Sequence, residues 1–131
     1  MNLPNNNYRI LVVDSSLIVA DRLNALLKDL ECVQLVSRAY SYKQALELLA
    51  RETYEVVLLD SQLPDQSGFD LLAFIKKNYP EVKTIMLTNQ SSVLYRNKGL
   101  QMGTDHFIDK SSEFESVAQI INNYAVGYQM N

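Results

Sequence analysis

Four polar side chains lie just beyond four separate apolar runs of the sequence. They are Asp14, Asp60, Thr88 and Lys110. Two acids, a hydroxyl and a cation are thus delivered by different segments of the chain. Asp60 is the most informative of them, because the apolar run 56–59 leads it directly into a loop that contains Pro64 and Gly68. We interpret this carboxylate as the candidate reaction centre.

Apolar runs of four or five residues alternate with longer segments of helical period, a pattern typical of repeated βα units and a parallel sheet. Strands are predicted near residues 9–13, 33–39, 55–59, 83–87 and 106–108. Each is followed by a candidate helix. The sequence therefore predicts an α/β fold with a five-stranded parallel sheet flanked by five helices.

The apolar runs 10–13, 56–59 and 85–87 are uninterrupted, as expected for central strands that are covered on both faces. The second predicted strand contains polar residues and the fifth is short, so both are better suited to the sheet edges. In an open parallel sheet the ligand site lies beyond the carboxyl ends of the strands. Taken singly, each residue has a structural explanation: Asp14 could serve as a helix cap, and Asp60 could stabilise a turn. The joint placement of all four residues favours one common site.

Helix boundaries can be predicted from caps and breakers. Ser41 with Gln44, and Ser112 with Glu115, are spaced as capping boxes at the starts of the second and fifth helices. The third helix must end near Tyr79, since a proline follows it. Polar residues crowd the start of the segment 89–99, so the fourth helix is expected to have few apolar anchors.

Composition limits the possible partners and compartments. The 131 residues are 47% hydrophobic and 21% charged, which is enough for one domain with a core. A net charge of -3 argues against duplex nucleic acid as a direct partner. The single Cys32 is interpreted as a buried hydrophobe, and its lack of a disulfide partner suggests the cytoplasm. No apolar run approaches the roughly 18 residues that a membrane span needs.

Asp60 followed by Leu63, Pro64 and Gly68, with the later Thr88 and the run 103–110, resembles the receiver domains of two-component response regulators. The similarity covers almost the whole chain. It implies one receiver domain over residues 1–131, with its core at about 8–125, and a flavodoxin-like strand order of 2-1-3-4-5.

The resemblance also implies roles for the residues of the site. Asp60 would be the phosphoacceptor, taking a phosphoryl group from a histidine kinase or a histidine phosphotransfer protein. Lys110 would contact the phosphoryl group and Thr88 would donate a hydrogen bond to it. Thr88 and Phe107 would transmit the phosphorylation state to the surface. Apart from self-catalysed phosphotransfer and dephosphorylation, the chain is not expected to be an enzyme.

Magnesium is the cofactor that the resemblance implies, held by Asp14, Asp60 and the backbone carbonyl of Gln62. Receiver domains usually have two adjacent acids after the first strand, and here Ser15 occupies the place of the second. A neutral hydroxyl cannot offset a doubly charged ion, so weak magnesium binding is expected. Asn89 is bulkier than the residue common at its position. It either narrows the access of a phosphoryl donor to Asp60 or hydrogen-bonds the phosphoryl oxygens.

Three functions remain possible from the sequence. The leading one is a phosphorylated receiver that signals by binding a downstream protein target or a second copy of itself, through positions such as Tyr95, Arg96, Gln119 and Asn122. The main alternative is a pseudo-receiver, a protein-interaction module that works without phosphorylation because an acid is missing at Ser15. An aspartate-nucleophile phosphatase or a flavin-binding protein is the third, and its Asp-x-Asp pair or phosphate loop is missing from the sequence.

Overall fold

The computed structural model describes residues 7–89 and 93–126. Strands and helices alternate strictly along this part of the chain. The strands are β1 (Tyr8–Val13), β2 (Val33–Ala39), β3 (Val56–Asp60), β4 (Lys83–Thr88) and β5 (His106–Asp109). The helices are α1 (Leu17–Leu27), α2 (Tyr42–Arg51), α3 (Gly68–Asn78), α4 (Val93–Gln101) and α5 (Ser116–Val126).

The five strands form one parallel sheet in the order β2-β1-β3-β4-β5. This confirms the predicted fold, including the placement of β2 and β5 at the edges. Strands β3, β4 and β5 each run one residue further than expected, because Asp60 pairs with Leu87 and Thr88 pairs with Asp109. Two residues predicted for the site are therefore the last residues of their strands.

Alternate residues of each strand face opposite layers of helices. Leu58 and Ile85 share one core cluster with residues of α1 and α5, including Leu23 and Val117. Their neighbours in sequence face the other cluster, which residues of α2 and α3 cover. All four residues from Val56 to Leu59 are 0% exposed. This two-sided burial is the physical reason for the uninterrupted apolar run before Asp60.

The capping signals of the sequence are confirmed in part. Ser41 is the N-cap of α2, and its Oγ accepts a hydrogen bond from the backbone N–H of Gln44 at 3.1 Å. The Gln44 side chain accepts in return from Tyr40, one residue before the position expected for a capping box. The third helix ends at Asn78 with Tyr79 as its C-cap, as the following proline requires.

The predicted start of the fifth helix is wrong. A turn occupies residues 110–115, and α5 begins at Ser116. Glu113, and not the predicted Glu115, is the acid that bonds back to the chain before the helix. Its carboxylate accepts the backbone N–H of Asp109 at 2.9 Å. Asp109 in turn accepts the backbone N–H of Ser111 at 2.8 Å. These local bonds satisfy the backbone without a helical turn at Ser112.

Helix α4 has few apolar anchors, as its sequence predicts. Gly99 is its one buried residue, whereas Val93 is 68% exposed and Leu94 is 78% exposed. The predicted segment 89–99 is described only in part, since residues 90–92 lie outside the described ranges.

The remaining composition-based predictions concern Cys32 and membrane insertion. Cys32 is 1% exposed and lies in the core cluster beneath α1 and α5, which confirms its interpretation as a buried hydrophobe. Within residues 7–89 and 93–126, no helix combines the length and the apolar character that crossing a membrane requires.

Candidate functional site

Three of the four predicted site residues meet at the carboxyl edge of the sheet. The Lys110 ammonium lies 2.8 Å from Oδ2 of Asp60 and 2.5 Å from Oδ2 of Asp14. The side chains of Lys110, Asp14 and Asp60 are 6%, 0% and 13% exposed, respectively. One cation is therefore shared by two carboxylates in a nearly dry position, with Asp60 the most accessible of the three.

The backbone fixes these side chains from three strands. Asp14 extends the β1–β2 ladder by donating its N–H to the carbonyl of Ala39 at 3.0 Å. Lys110 extends the β4–β5 ladder in the same way, with its N–H 2.8 Å from the carbonyl of Thr88. Asp60 is itself the last residue of β3, and its Oδ1 accepts the backbone N–H of Gln62 at 3.0 Å. These backbone hydrogen bonds hold the three side chains together as a cluster.

Gly68 explains part of the sequence pattern after Asp60. A Cβ at this position would lie 1.8 Å from the backbone oxygen of Asp60 and 2.8 Å from Cα of Ser61. The Gly68 N–H donates to the carbonyl of Ser61 at 2.9 Å. The first residue of α3 thus packs directly on the backbone of Asp60, and only glycine fits there.

The loop after Asp60 is also tied to α2. The Asp65 carboxylate accepts the backbone N–H groups of Tyr42 at 2.8 Å and Lys43 at 3.0 Å. These bonds satisfy two of the unpaired donors at the start of α2 and lower the pKa of Asp65 below its ordinary value. Sequence reasoning missed Asp65, because the contact joins residues more than twenty positions apart.

Burial and charge oppose each other at the site. Burial raises the pKa of Asp60, and the nearby Asp14 carboxylate adds to this, while the hydrogen bond from Lys110 offsets part of the shift. Burial by itself would lower the pKa of Lys110, but its bonds with Asp14 and Asp60 outweigh that effect and raise it. Lys110 therefore remains charged at neutral pH. Two carboxylates and one ammonium leave the ionised cluster with one net negative charge.

An open crevice lies beside the cluster. Its lining residues are Asp14, Ser15, Ser16, Val19, Asp60, Gln62, Leu63, Pro64, Asn89 and Lys110. Ser15 and Asn89 are both exposed, so they lie where an incoming group would pass. All residues predicted to hold a metal or to control access thus border the same crevice.

The oxygen atoms at the site are of the type that binds magnesium, but they carry little negative charge. Within the described part of the chain, no group of three or more His, Cys, Asp or Glu side chains could hold a metal ion. Oδ2 of Asp14 is buried without a hydrogen bond of good geometry, and its ion pair with Lys110 is its close contact. Carboxylate and carbonyl oxygens are the ligands that Mg²⁺ prefers. Ser15 adds no charge, and the Lys110 ammonium between the carboxylates opposes a second cation.

Thr88 is placed differently from the expectation. It is 1% exposed, and the described residues that line the crevice do not include it. Its Oγ1 accepts a hydrogen bond from Oγ of Ser61 at 2.9 Å, and Ser61 is itself 3% exposed. Ser61 was not among the residues predicted for the site. Strand register could have found it, because Asp60 pairs with Leu87 and the next residue of each strand must then be neighbours.

Phe107 links β5 to α4. Its side chain is 5% exposed, and a Cβ added to Gly99 would lie 2.9 Å from its Cδ2 atom. Arg96 donates to the carbonyl of Phe107 at 3.0 Å and forms an ion pair with Glu113 at 3.1 Å. The aromatic ring therefore lies directly beneath the weakly anchored helix.

Comparison with known proteins points to one family. Residues 10–122 match the family model described as "Response regulator receiver domain". The response regulator protein PilR of Pseudomonas aeruginosa is 32% identical over 83 residues, which are 63% of this chain and 19% of that protein. The fimbriae Z protein of Escherichia coli K12 is 24% identical over 119 residues, which are 88% of this chain and 57% of that protein. The chain thus spans little more than half, or less, of these relatives.

Solved structures agree with the sequence comparisons. A CheY-like response regulator receiver domain protein from Methanospirillum hungatei is 28% identical, with a TM-score of 0.81 over 90% of this chain and 93% of that one. The BeF3-activated receiver domain of DrrB, a Thermotoga maritima protein, is 27% identical, with a TM-score of 0.77 over 89% and 96% of the two chains.

Proposed function

Because the chain belongs to the receiver domains of two-component response regulators, we propose that its Asp60 accepts a phosphoryl group from a phosphohistidine. The donor is a histidine kinase or a histidine phosphotransfer protein. The observation that carries the proposal is the position of the Lys110 ammonium, 2.8 Å from Oδ2 of a carboxylate that borders an open crevice.

The transfer needs alignment and charge neutralisation more than proton chemistry. A carboxylate oxygen of Asp60 attacks phosphorus, and the bond from phosphorus to the donor imidazole nitrogen breaks. The electron pair of that bond stays with the imidazole, which takes up a proton from water. The product is an acyl phosphate on Asp60. Lys110 faces the phosphoryl oxygens and offsets the negative charge that develops on them.

Magnesium binding is part of the proposal in a weakened form. Asp14, Asp60 and the backbone carbonyl of Gln62 would hold the ion, which would neutralise charge on the phosphoryl oxygens. Ser15 leaves this set one carboxylate short of the usual receiver pattern. We therefore expect low magnesium affinity and a phosphorylation rate that rises over a wide range of magnesium concentration.

Signalling would pass through protein contacts, in the cytoplasm and without separate enzymatic activity. A downstream protein or a second copy of the chain would bind the surface near α4 and α5, where Gln119 is exposed, whereas Asn122 lies on the flank of α5 that faces Cys32. Tyr95 and Arg96 are half-buried there, because Tyr95 packs edge-on against Phe69 and Arg96 bridges to Glu113. A change beneath α4 would reach this surface through these two side chains.

The pseudo-receiver is the second candidate function. Two observations favour it. Ser15 is exposed in the crevice and carries no charge. Among the described residues, no group of three or more His, Cys, Asp or Glu side chains forms a metal site there. In this alternative, protein binding would be independent of Asp60 chemistry.

One experiment separates the two functions. The purified chain is incubated with acetyl phosphate and increasing magnesium, and its intact mass is measured. We expect one phosphoryl group on the wild-type chain and none on Asp60→Asn, which keeps the shape of the side chain. Failure to acquire a phosphoryl group from both acetyl phosphate and a phosphohistidine donor would favour the pseudo-receiver.

A further inference from the structure

The hydroxyls of Ser61 and Thr88 form a buried cross-strand pair next to the phosphoacceptor. Their oxygens are 2.9 Å apart, with Ser61 as donor and Thr88 as acceptor. Ser61 is 3% exposed and Thr88 is 1% exposed. A hydrogen bond in so dry a place is costly to break without a replacement partner.

The pair lies on the opposite face of the sheet from the Asp60 carboxylate. Side chains alternate along a strand, so Asp60 shares the face of Leu58, whereas Ser61 shares that of Leu59. Thr88 follows Met86 onto this second face, which is covered in part by α3. Ser61 borders a groove beside α3 and α4, lined also by Phe69, Tyr95 and Lys98. In this arrangement the Thr88 hydroxyl is held away from the crevice.

Ser61 cannot readily follow Thr88 if that side chain turns. Its backbone N–H donates to the carbonyl of Leu87 at 3.0 Å, and its carbonyl accepts from Gly68 at 2.9 Å. A Cβ at Gly68 would lie 2.8 Å from Cα of Ser61, so the first residue of α3 is in close contact with the Ser61 backbone. The serine hydroxyl is therefore attached to a fixed point of the backbone.

We propose that Ser61 is a positioning residue that competes with the phosphoryl group on Asp60 for the hydroxyl of Thr88. This inference rests on the proposed function, in which Thr88 donates a hydrogen bond to the phosphoryl oxygens. In the resting chain Thr88 is bonded to Ser61. In the phosphorylated chain Thr88 leaves Ser61 and turns toward the crevice, and the loss of the serine bond opposes that movement.

Removing the serine hydroxyl should therefore favour the phosphorylated state. Ser61→Ala leaves the resting Thr88 without its serine donor, while the phosphorylated state loses nothing at this position. The expected gain in the ratio of phosphorylated to unphosphorylated chain is about threefold to tenfold, the size of one net hydrogen bond. A purely structural role for Ser61 would give the opposite sign, since a damaged site holds less phosphate.

The test is a double-mutant cycle read as the phosphorylated fraction at steady state. Wild type, Ser61→Ala, Thr88→Val and the double variant are incubated with sub-saturating acetyl phosphate and magnesium, and intact masses are measured. We expect Ser61→Ala to raise the ratio in the wild-type background and to change nothing in the Thr88→Val background. Ser61→Thr, which restores a hydroxyl, should return the ratio to the wild-type value. Ser112→Ala, at an exposed serine, is the matched control.

The outcomes separate this inference from the function on which it rests. If the wild-type chain acquires no phosphoryl group from either donor class, the proposed function fails and the competition fails with it. If the wild type is phosphorylated but Ser61→Ala leaves the ratio unchanged or lowers it, only the competition is overturned. An equal effect of Ser61→Ala in both backgrounds overturns it as well. Ser61→Cys, which keeps the shape of the side chain with a slightly larger atom and a weaker donor, replaces the alanine variant should that variant not fold.

Discussion

Lys110 is closer to Asp14 than to the proposed phosphoacceptor: its ammonium lies 2.5 Å from Oδ2 of Asp14 and 2.8 Å from Oδ2 of Asp60. Asp14 is fully buried, so this pair fixes the cation at the floor of the crevice. The remaining oxygen of Asp60 is bonded to the Gln62 N–H. Lys110 thus stabilises the resting carboxylates before it meets any phosphoryl group.

Replacing Lys110 should cost both stability and phosphorylation. Lys110→Met keeps most of the apolar stem but leaves two buried carboxylates without their shared cation. Breaking a buried ion pair in this way typically costs about 3 kcal/mol or more of unfolding free energy. Urea unfolding of the variant measures the loss. Lys77→Met, at an exposed lysine of α3, is the control and should change the unfolding free energy by less than about 0.5 kcal/mol.

Phosphoryl transfer to the Lys110→Met chain should slow by about a hundredfold, the usual effect of removing one charge-stabilising donor. The rate of mass gain with acetyl phosphate provides the measurement. An unfolding curve and a transfer rate both equal to those of Lys77→Met would contradict the role assigned to the ammonium.

Restoring the missing acid should strengthen magnesium binding. Ser15 borders the crevice, and Ser15→Asp would place a second carboxylate beside Asp14. One charge at roughly 4 Å is worth up to about 4 kcal/mol at an effective dielectric near 20, and retaining a third of that value raises affinity about tenfold. Calorimetric titration with magnesium measures the change.

The matched control adds the same charge elsewhere. Thr53→Asp places a carboxylate at an exposed position before the start of β3, at the amino ends of the strands and away from the crevice. Ionic screening should leave its effect on magnesium affinity small. Equal affinities for Ser15→Asp and Thr53→Asp would show that the missing acid is not what limits metal binding.

The hydrogen bonds of Asp65 should make the free energy of unfolding fall as the solution becomes acidic. Its bonds from the N–H groups of Tyr42 and Lys43 lower its pKa in the folded chain below the ordinary value of 3.8. The stabilisation is therefore present above pH 3.8 and is lost as the pH falls through the lowered, folded-state pKa. Wild type should exceed Asp65→Ala in unfolding free energy at neutral pH, and the difference should shrink on acidification.

Urea unfolding of both chains across this pH range measures the effect. Asp29→Ala, which removes an exposed carboxylate in the turn between α1 and β2, is the comparison variant. A stability difference between wild type and Asp65→Ala that stays constant with pH would mean that the carboxylate charge is not what holds the loop to α2.

Much of the architecture follows from local sequence patterns. The uninterrupted runs at β1, β3 and β4 reflect burial on two faces, so they identified the central strands and the edge to which Asp14 and Asp60 belong. The start of α5 could not be read in the same way. Instead of Ser112 and Glu115, Glu113 accepts the N–H of Asp109 and Asp109 accepts the N–H of Ser111, so the backbone forms a turn before the helix.

The placement of Thr88 shows a second limit. Its position at the end of β4 was predictable, but the face on which its side chain lies depends on strand parity. Met86 and Thr88 alternate with Ile85 and Leu87, so Thr88 belongs to the layer opposite Asp60. That parity, together with the pairing of Asp60 with Leu87, also determines its contact with Ser61.

The close approach of Gly68 to Asp60 has a mechanical consequence. Atoms of the first turn of α3 and of the Asp60 backbone touch without any intervening side chain, so a displacement of one must carry the other with it. This side of the crevice behaves as a fixed wall. The opposite side, between the end of β4 and the sparsely anchored α4, has more room to adjust, since Gly99 is the one buried residue of that helix.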